Sequence, residues 1–213
     1  MIELNKRIFT SIALLIILYI SLINNIFLSI ILSFIVFIAL VEFHNIFLKI
    51  FKKKKIENII YLFLALIYLV FFSLITGFFL FYAGNENKAL FIFILSICIA
   101  TDIGGYTFGK LLKGKKITKI SPNKTYAGVF GSFILSFIVT LIFFSDLNLI
   151  LNTIYLALII SFFSQIGDLI ISFLKRKAKI KDTGGFLPGH GGLLDRLDGI
   201  LLAVPIGIIL VGL

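Results

Sequence analysis

The chain predicts an all-α, polytopic membrane protein, and three observations carry that prediction. Of its 213 residues 60% are hydrophobic and only 14% charged, with a mean hydropathy of +1.15; soluble domains carry about a quarter charged residues. Several stretches approach the roughly 20 apolar residues that cross about 30 Å of hydrocarbon. The polar residues are gathered into a few short segments between those stretches. A β-barrel is excluded because no alternating ten-residue pattern appears.

About seven spans are expected, within a range of six to nine: residues 8–23, 26–48, 59–82, 89–108, 126–144, 149–174 and 193–213. Lys6 and Arg7 precede the first span as they would a signal peptide. It lacks a small-residue cleavage site, so the expectation is an uncleaved anchor. The run Lys52–Lys55 reads as a stop-transfer anchor near anionic lipid. Cys98 is alone inside an apolar run, which leaves no disulfide framework and no Cys-based zinc site.

Charge placement fixes an expected orientation. With the N-terminus cytoplasmic, nineteen of the 20 cations fall on the cytoplasmic side and only Lys88 on the other. That asymmetry follows the positive-inside rule. The net charge of +10 is therefore a topology signal, and no nucleic-acid partner is expected. The same count puts the polar loops 109–125 and 175–192 in the cytosol, where nucleotides are. Residues 1–90 then form N-terminal transmembrane helices, and residues 91–213 a catalytic transmembrane domain carrying both loops.

Polar residues inside the spans fall into stripes. Ser161, Ser164, Gln165, Asp168, Ser172 and Lys175 recur at helical spacing in span six, so they face the protein interior or a hydrated cavity. Span four ends on Asp102, Gly105, Tyr106 and Gly109. Thr125, Gly128, Ser132 and Ser136 make a small-residue face in span five, suited to close helix packing. Asp195 and Asp198 open span seven, three residues apart. An Asp within a span costs roughly 2.5–3.5 kcal/mol on the insertion scale, so Asp102, Asp168, Asp195 and Asp198 need a reason. Carboxylates collected from several helices at one depth make an oxygen-ligand site suited to Mg²⁺.

The loops supply cations for the other half of such a site. Lys175, Arg176, Lys181 and Arg196 bring donors for phosphate oxygens. Gly184-Gly185 and Gly191-Gly192 allow close backbone approach to an anion, and the second pair precedes the N-terminus of span seven. Ser121-Pro122-Asn123-Lys124-Thr125 opens span five with capping residues and a first-turn Pro. An ordinary helix cap is the alternative reading there. Gly109 to Lys116 nearly fits a P-loop, but Lys116 stands where Ser or Thr must meet Mg²⁺ and no strand precedes it. Asn123-Lys124-Thr125 fits a glycosylation acceptor but lies in a cytoplasmic loop.

Ser172, Lys175-Arg176, Lys181-Asp182, Pro188, His190-Gly191-Gly192, Asp195-Arg196 and Asp198 together resemble the signature of the phosphatidate cytidylyltransferase family. Thr101 to Gly109, Ser121 to Gly128 and Gly167-Asp168 are similar to other blocks of that family. The likeness covers residues 96–213 well and the first 90 only as hydrophobic spans. It implies that CTP and phosphatidic acid give CDP-diacylglycerol and pyrophosphate, with Mg²⁺ required and a second cation an open alternative. It further implies metal ligation by Asp168, Asp195 and Asp198, with Asp102 a further carboxylate at the site. Phosphate binding falls to Lys175, Arg176, Lys181 and Arg196, helped by Lys124 and Thr125. Ser172, Asp182, Gly191 and Gly192 belong to the substrate-binding set, and His190 is either a phosphate donor or a loop-shaping residue.

The expected setting is the inner (cytoplasmic) membrane of the cell, and the Gly and Ser stripes are compatible with a homodimer. The rivals are a CDP-archaeol synthase, a polyprenol or phytol kinase, and a CDP-alcohol phosphatidyltransferase. That last family's pattern begins at Asp198-Gly199 but is not continued. An ion or proton transporter is the remaining class, but it would place polar groups near the midplane, often in paired repeats.

Overall fold

The computed structural model describes residues 2–212 apart from 53, 83, 113–114, 117–123 and 144–146. Lys113, Lys119 and Ser121-Pro122-Asn123, all within the expected loop 109–125, lie outside the described residues. The described chain is helical, in the order α1 (Ile2–Ile23), α2 (Asn25–Phe51), α3 (Lys55–Phe81), α4 (Asn85–Leu112), α5 (Tyr126–Phe143), α6 (Leu147–Lys177) and α7 (Leu194–Gly212). The chain is a polytopic helical membrane protein: α1 to α6 are long and apolar enough to cross a bilayer. The seventh expected span forms a 19-residue helix whose first turns carry Asp195, Arg196 and Asp198.

Local chemistry sets the helix boundaries. Between α1 and α2 the Asn24 side chain accepts a hydrogen bond from the Phe27 amide at 3.1 Å, satisfying one of the free donors at the start of α2. α2 ends at Lys52, whose φ of 45° breaks the helical path. At the start of α5 the Thr125 hydroxyl accepts from the Gly128 amide at 3.1 Å. The capping geometry raised for Thr125 is thus present, with the side chain buried.

The chain forms two compact units. The first holds residues 1–83 and 174–197, the second 84–173 and 198–213. The polar stretch after α6 thus folds with the N-terminal helices. In the first unit α1 packs on α2 and α2 on α3, with Ala39, Ile46 and Leu69 fully buried. Ile38 of α2 packs against Leu187 and Leu193, tying the polar stretch to the helices by an apolar contact.

The second unit is built on the α4–α5 pair. Gly128, Gly131, Ser132, Ser136 and Thr140 form the buried face of α5. A Cβ on Gly104 would collide with the Gly131 carbonyl, and one on Gly128 would come within 2.7 Å of the Gly105 carbonyl oxygen. The small-residue stripe is therefore a close-packing face, as its spacing predicts. Ser132 Oγ donates to the Thr101 carbonyl at 2.7 Å, and Thr101 Oγ1 donates to Ser161 Oγ of α6 at 2.8 Å. These bonds satisfy hydroxyls that would be expensive to bury unpaired.

Candidate active site

In the first unit the signature residues are organised around two carboxylates, Asp195 and Glu42. Lys175, in the last turn of α6, forms an ion pair with Asp195 at 2.7 Å, the two side chains being 16% and 7% exposed. The other Asp195 oxygen accepts from the Thr183 amide at 2.8 Å and the Gly192 amide at 3.0 Å. A carboxylate with one lysine and two backbone donors is held in one orientation. Gly191 takes a φ of 84°, which favours glycine. A Cβ there would come within 3.0 Å of Asp195 Oδ2 and 3.5 Å of Asp182 Cβ.

Glu42 was not singled out from the sequence. It lies on α2, is 4% exposed, and accepts from the Leu193 amide at 2.8 Å and the Leu194 amide at 2.9 Å. Thr183 Oγ1 donates to Glu42 at 2.6 Å and stands 3.1 Å from Asp195; its single proton serves the shorter contact. The first amides of α7 are thus capped by a carboxylate, as the positive end of a helix favours.

From the sequence, the Gly191-Gly192 pair and the N-terminus of α7 are expected to let the backbone approach an anion. In the structure the amides of Gly192, Leu193 and Leu194 already serve Asp195 and Glu42. Gly192 is small for the same reason, since a Cβ would collide with Thr183 Oγ1 and come within 2.6 Å of a Glu42 oxygen. The signal that could have found Glu42 was available: it is an acidic residue inside a predicted span, subject to the same insertion cost as the four aspartates.

The remaining cations of this unit stay at the surface. Arg176, Lys181 and Arg196 are exposed, as is Asp182. Arg196 donates from Nε and Nη2 to the His190 carbonyl at 3.3 and 3.0 Å. Desolvation, with the Arg196 and Arg7 guanidiniums adding to it, holds the His190 imidazole below its ordinary pKa.

The second unit brings together Lys124, Asp168 and Ser172. Lys124 Nζ pairs with Asp168 Oδ2 at 2.6 Å and donates to the Gln165 carbonyl at 3.3 Å. Ser172 Oγ donates to Asp168 Oδ1 at 3.1 Å. Two glycines make the neighbouring helix contact. A Cβ on Gly167 would strike the Asp198 carbonyl oxygen, and one on Gly199 would strike Ser164 Oγ. α6 and α7 therefore touch backbone to backbone beside Asp168 and Asp198. Asp198 Oδ1 accepts from the Gly199 amide at 2.9 Å. Asp102 is on the exposed side of α4, with Thr101 beside it turned inward and 2% exposed.

Among the described residues no three His, Cys, Asp or Glu side chains gather into a group that could hold a metal ion. Asp168 and Asp198, which flank the Gly167 contact between α6 and α7, are the residues of the second unit with the hard oxygen donors that Mg²⁺ would require.

Fold and site define a class: a polytopic helical membrane protein with lysine–carboxylate pairs and exposed cations on its polar segments. The model of the Cytidylyltransferase family matches residues 2–213, and the chain belongs to that family. It is 40% identical over 126 residues to a Staphylococcus epidermidis protein named phosphatidate cytidylyltransferase, covering 57% of this chain and 48% of that one. It is 43% identical over 120 residues to the Bacillus subtilis protein of that name, covering 54% and 45%. A Staphylococcus aureus protein of the same name is 40% identical over 126 residues, covering 57% and 48%. The matched stretch thus spans about half the length of these curated relatives.

Proposed function

We propose that this chain transfers a cytidylyl group from CTP to phosphatidic acid, giving CDP-diacylglycerol and pyrophosphate. The observation that carries the reading is the family match together with the two lysine–carboxylate pairs. The short ion pairs Lys175–Asp195 and Lys124–Asp168 support it, since they join a cation to a carboxylate in both units. The names of the relatives supply the acceptor lipid.

The chemistry requires little of the protein beyond placement and charge. The phosphate of phosphatidic acid is a monoester whose second pKa is near 6, so it is largely a dianion at neutral pH. One of its oxygens forms a bond to the α-phosphorus of CTP. The bond from that phosphorus to the β-bridging oxygen breaks, and pyrophosphate leaves with the electron pair. No protein nucleophile or general base is needed. Catalysis is positioning and neutralisation of developing charge.

Lys175 and Lys124 are held by Asp195 and Asp168 and would present their remaining N–H donors to phosphate oxygens. Arg176 and Lys181 are exposed and would follow a nucleotide, while Arg196, also exposed, would meet it from the position its bonds to the His190 carbonyl set. Mg²⁺, when bound, would neutralise phosphate charge; Asp168 and Asp198 would hold it together with the triphosphate, and a second cation can join it. The setting would be the cytoplasmic membrane, with the polar segments after α4 and α6 in the cytosol and the acyl chains entering from the bilayer.

The test is solubilised protein with phosphatidic acid, Mg²⁺ and labelled CTP, beside Asp195→Asn and Asp168→Asn. Labelled CDP-diacylglycerol from the parent and a loss of 100-fold or more in either variant is expected. No product from folded parent protein would reject the reaction. Equal rates in all three would reject the assignment of Asp195 and Asp168.

A further inference from the structure

The turn Leu187–His190 is pinned against the start of α1, at residues far away in the sequence. The His190 amide donates to the Leu187 carbonyl at 2.9 Å, closing the turn. Thr10 Oγ1 lies 2.9 Å from the Pro188 carbonyl oxygen and 2.6 Å from that of Lys6. Gly189 has a φ of 77°, and a Cβ there would come within 3.1 Å of Arg7 Cγ and 3.4 Å of the Arg7 amide nitrogen. Arg7 is therefore in packing contact with the turn that carries His190.

Arg196 reaches the same turn from α7. Its bonds from Nε and Nη2 to the His190 carbonyl use two of five N–H donors and fix the plane of the fork. Arg7 and Arg196 are both exposed, and both charges act on the His190 ring. The ring carries a buried Nδ1 without a hydrogen-bond partner. Arg7 and Arg196 thus reach one turn from two helices, and cations gathered at one turn favour an anion there.

We propose that Arg7, His190 and Arg196 form a binding site for a phosphate group, with Arg7 a ligand-binding residue supplied by the N-terminal helix. The proposal deepens the proposed function and rests on it for the identity of the ligand. The shared chemistry is a phosphate monoester or polyphosphate oxygen, and two sources carry it: the headgroup of phosphatidic acid and the triphosphate of CTP. Forked guanidiniums suit such oxygens because they donate in parallel pairs. The neutral ring of His190 adds one N–H donor.

Binding is measured on the whole chain in detergent, without turnover, using CTP with Mg²⁺ in one series and short-chain phosphatidate in the other. Arg7→Ala is expected to weaken one of the two by about tenfold. Weakening of phosphatidate alone assigns the site to the lipid headgroup, and weakening of CTP alone assigns it to the triphosphate. Arg7 also counts toward the cationic flank of α1, so the double variant Asn5→Arg with Arg7→Ala restores that flank while moving the guanidinium two positions around the helix. The double variant is expected to insert normally and still bind weakly. Unchanged affinity for both ligands in Arg7→Ala would overturn the site, as would full recovery in the double variant. Arg7-dependent binding in a protein that forms no CDP-diacylglycerol would keep the site and reject the reaction.

Discussion

Thr183 donates a 2.6 Å hydrogen bond to Glu42, a residue 141 positions earlier in the chain. That contact joins a buried carboxylate on α2 to the stretch holding the Lys175–Asp195 pair. Through the amides of Leu193 and Leu194 the same carboxylate caps α7. Removing it strands two amides, each at about 1–3 kcal/mol if left unsatisfied, while the Thr183 hydroxyl can turn to Asp195. Glu42→Ala is expected to lower the thermal unfolding temperature of the solubilised protein clearly. Glu42→Gln, which keeps one oxygen but turns an amide N–H₂ toward a donor, should fall between the two. An unfolding temperature for Glu42→Ala equal to the parent's would show that the capping contributes nothing.

The paired glycines should differ sharply in tolerance. Gly192 faces Thr183 and Glu42 at distances no Cβ can occupy, whereas nothing lies within 4 Å of a Cβ on Gly185. Gly185→Ala is expected to change stability by no more than about 0.5 kcal/mol, as surface substitutions usually do. Gly192→Ala should cost several times that through overpacking against buried polar groups. Denaturant titration of the two variants would check the contrast, and equal losses would contradict it.

A double-mutant cycle addresses Lys124 and Asp168. Their side chains are 22% and 27% exposed, so solvent screens part of the attraction and the coupling should be about 1 kcal/mol or less in stability. The effect on turnover should be much larger than that, because both residues are assigned to phosphate and metal. A variant that loses stability and activity in the same small proportion would make the pair structural only.

The pH dependence of His190 has a definite sign. Desolvation first, then Arg196 and Arg7, hold its pKa below the ordinary 6.5. A base whose folded pKa is lowered contributes stability that is present above 6.5 and lost as pH falls through the lowered value. Histidine-selective NMR should therefore show His190 titrating below 6.5, and Arg7→Ala should move its midpoint upward. A midpoint at or above 6.5 would remove the two guanidiniums from its surroundings.

Much of the molecule was legible from residue types and spacing. Runs of apolar residues long enough for a bilayer announced the helices, and the small-residue stripe at Gly128, Ser132 and Ser136 announced the packing face of α5. Lys175 and Asp195 were visible as members of one signature but not as partners. Thr125 could be read as a phosphate ligand or a cap, and its bond from the Gly128 amide shows the capping geometry, which the sequence alone did not.

By itself, the sequence determined that this is a multi-span helical membrane protein of the Cytidylyltransferase family, because hydropathy, charge and a signature are properties of short stretches of chain. The tertiary structure decided which anion sits on the first amides of α7, and that Arg7 lies beside His190. Those facts depend on which distant residues meet when the apolar surfaces of α1 and α2 are buried. A carboxylate on α2 reaches the start of α7 because packing Ile38 on Leu187 and Leu193 brings it there.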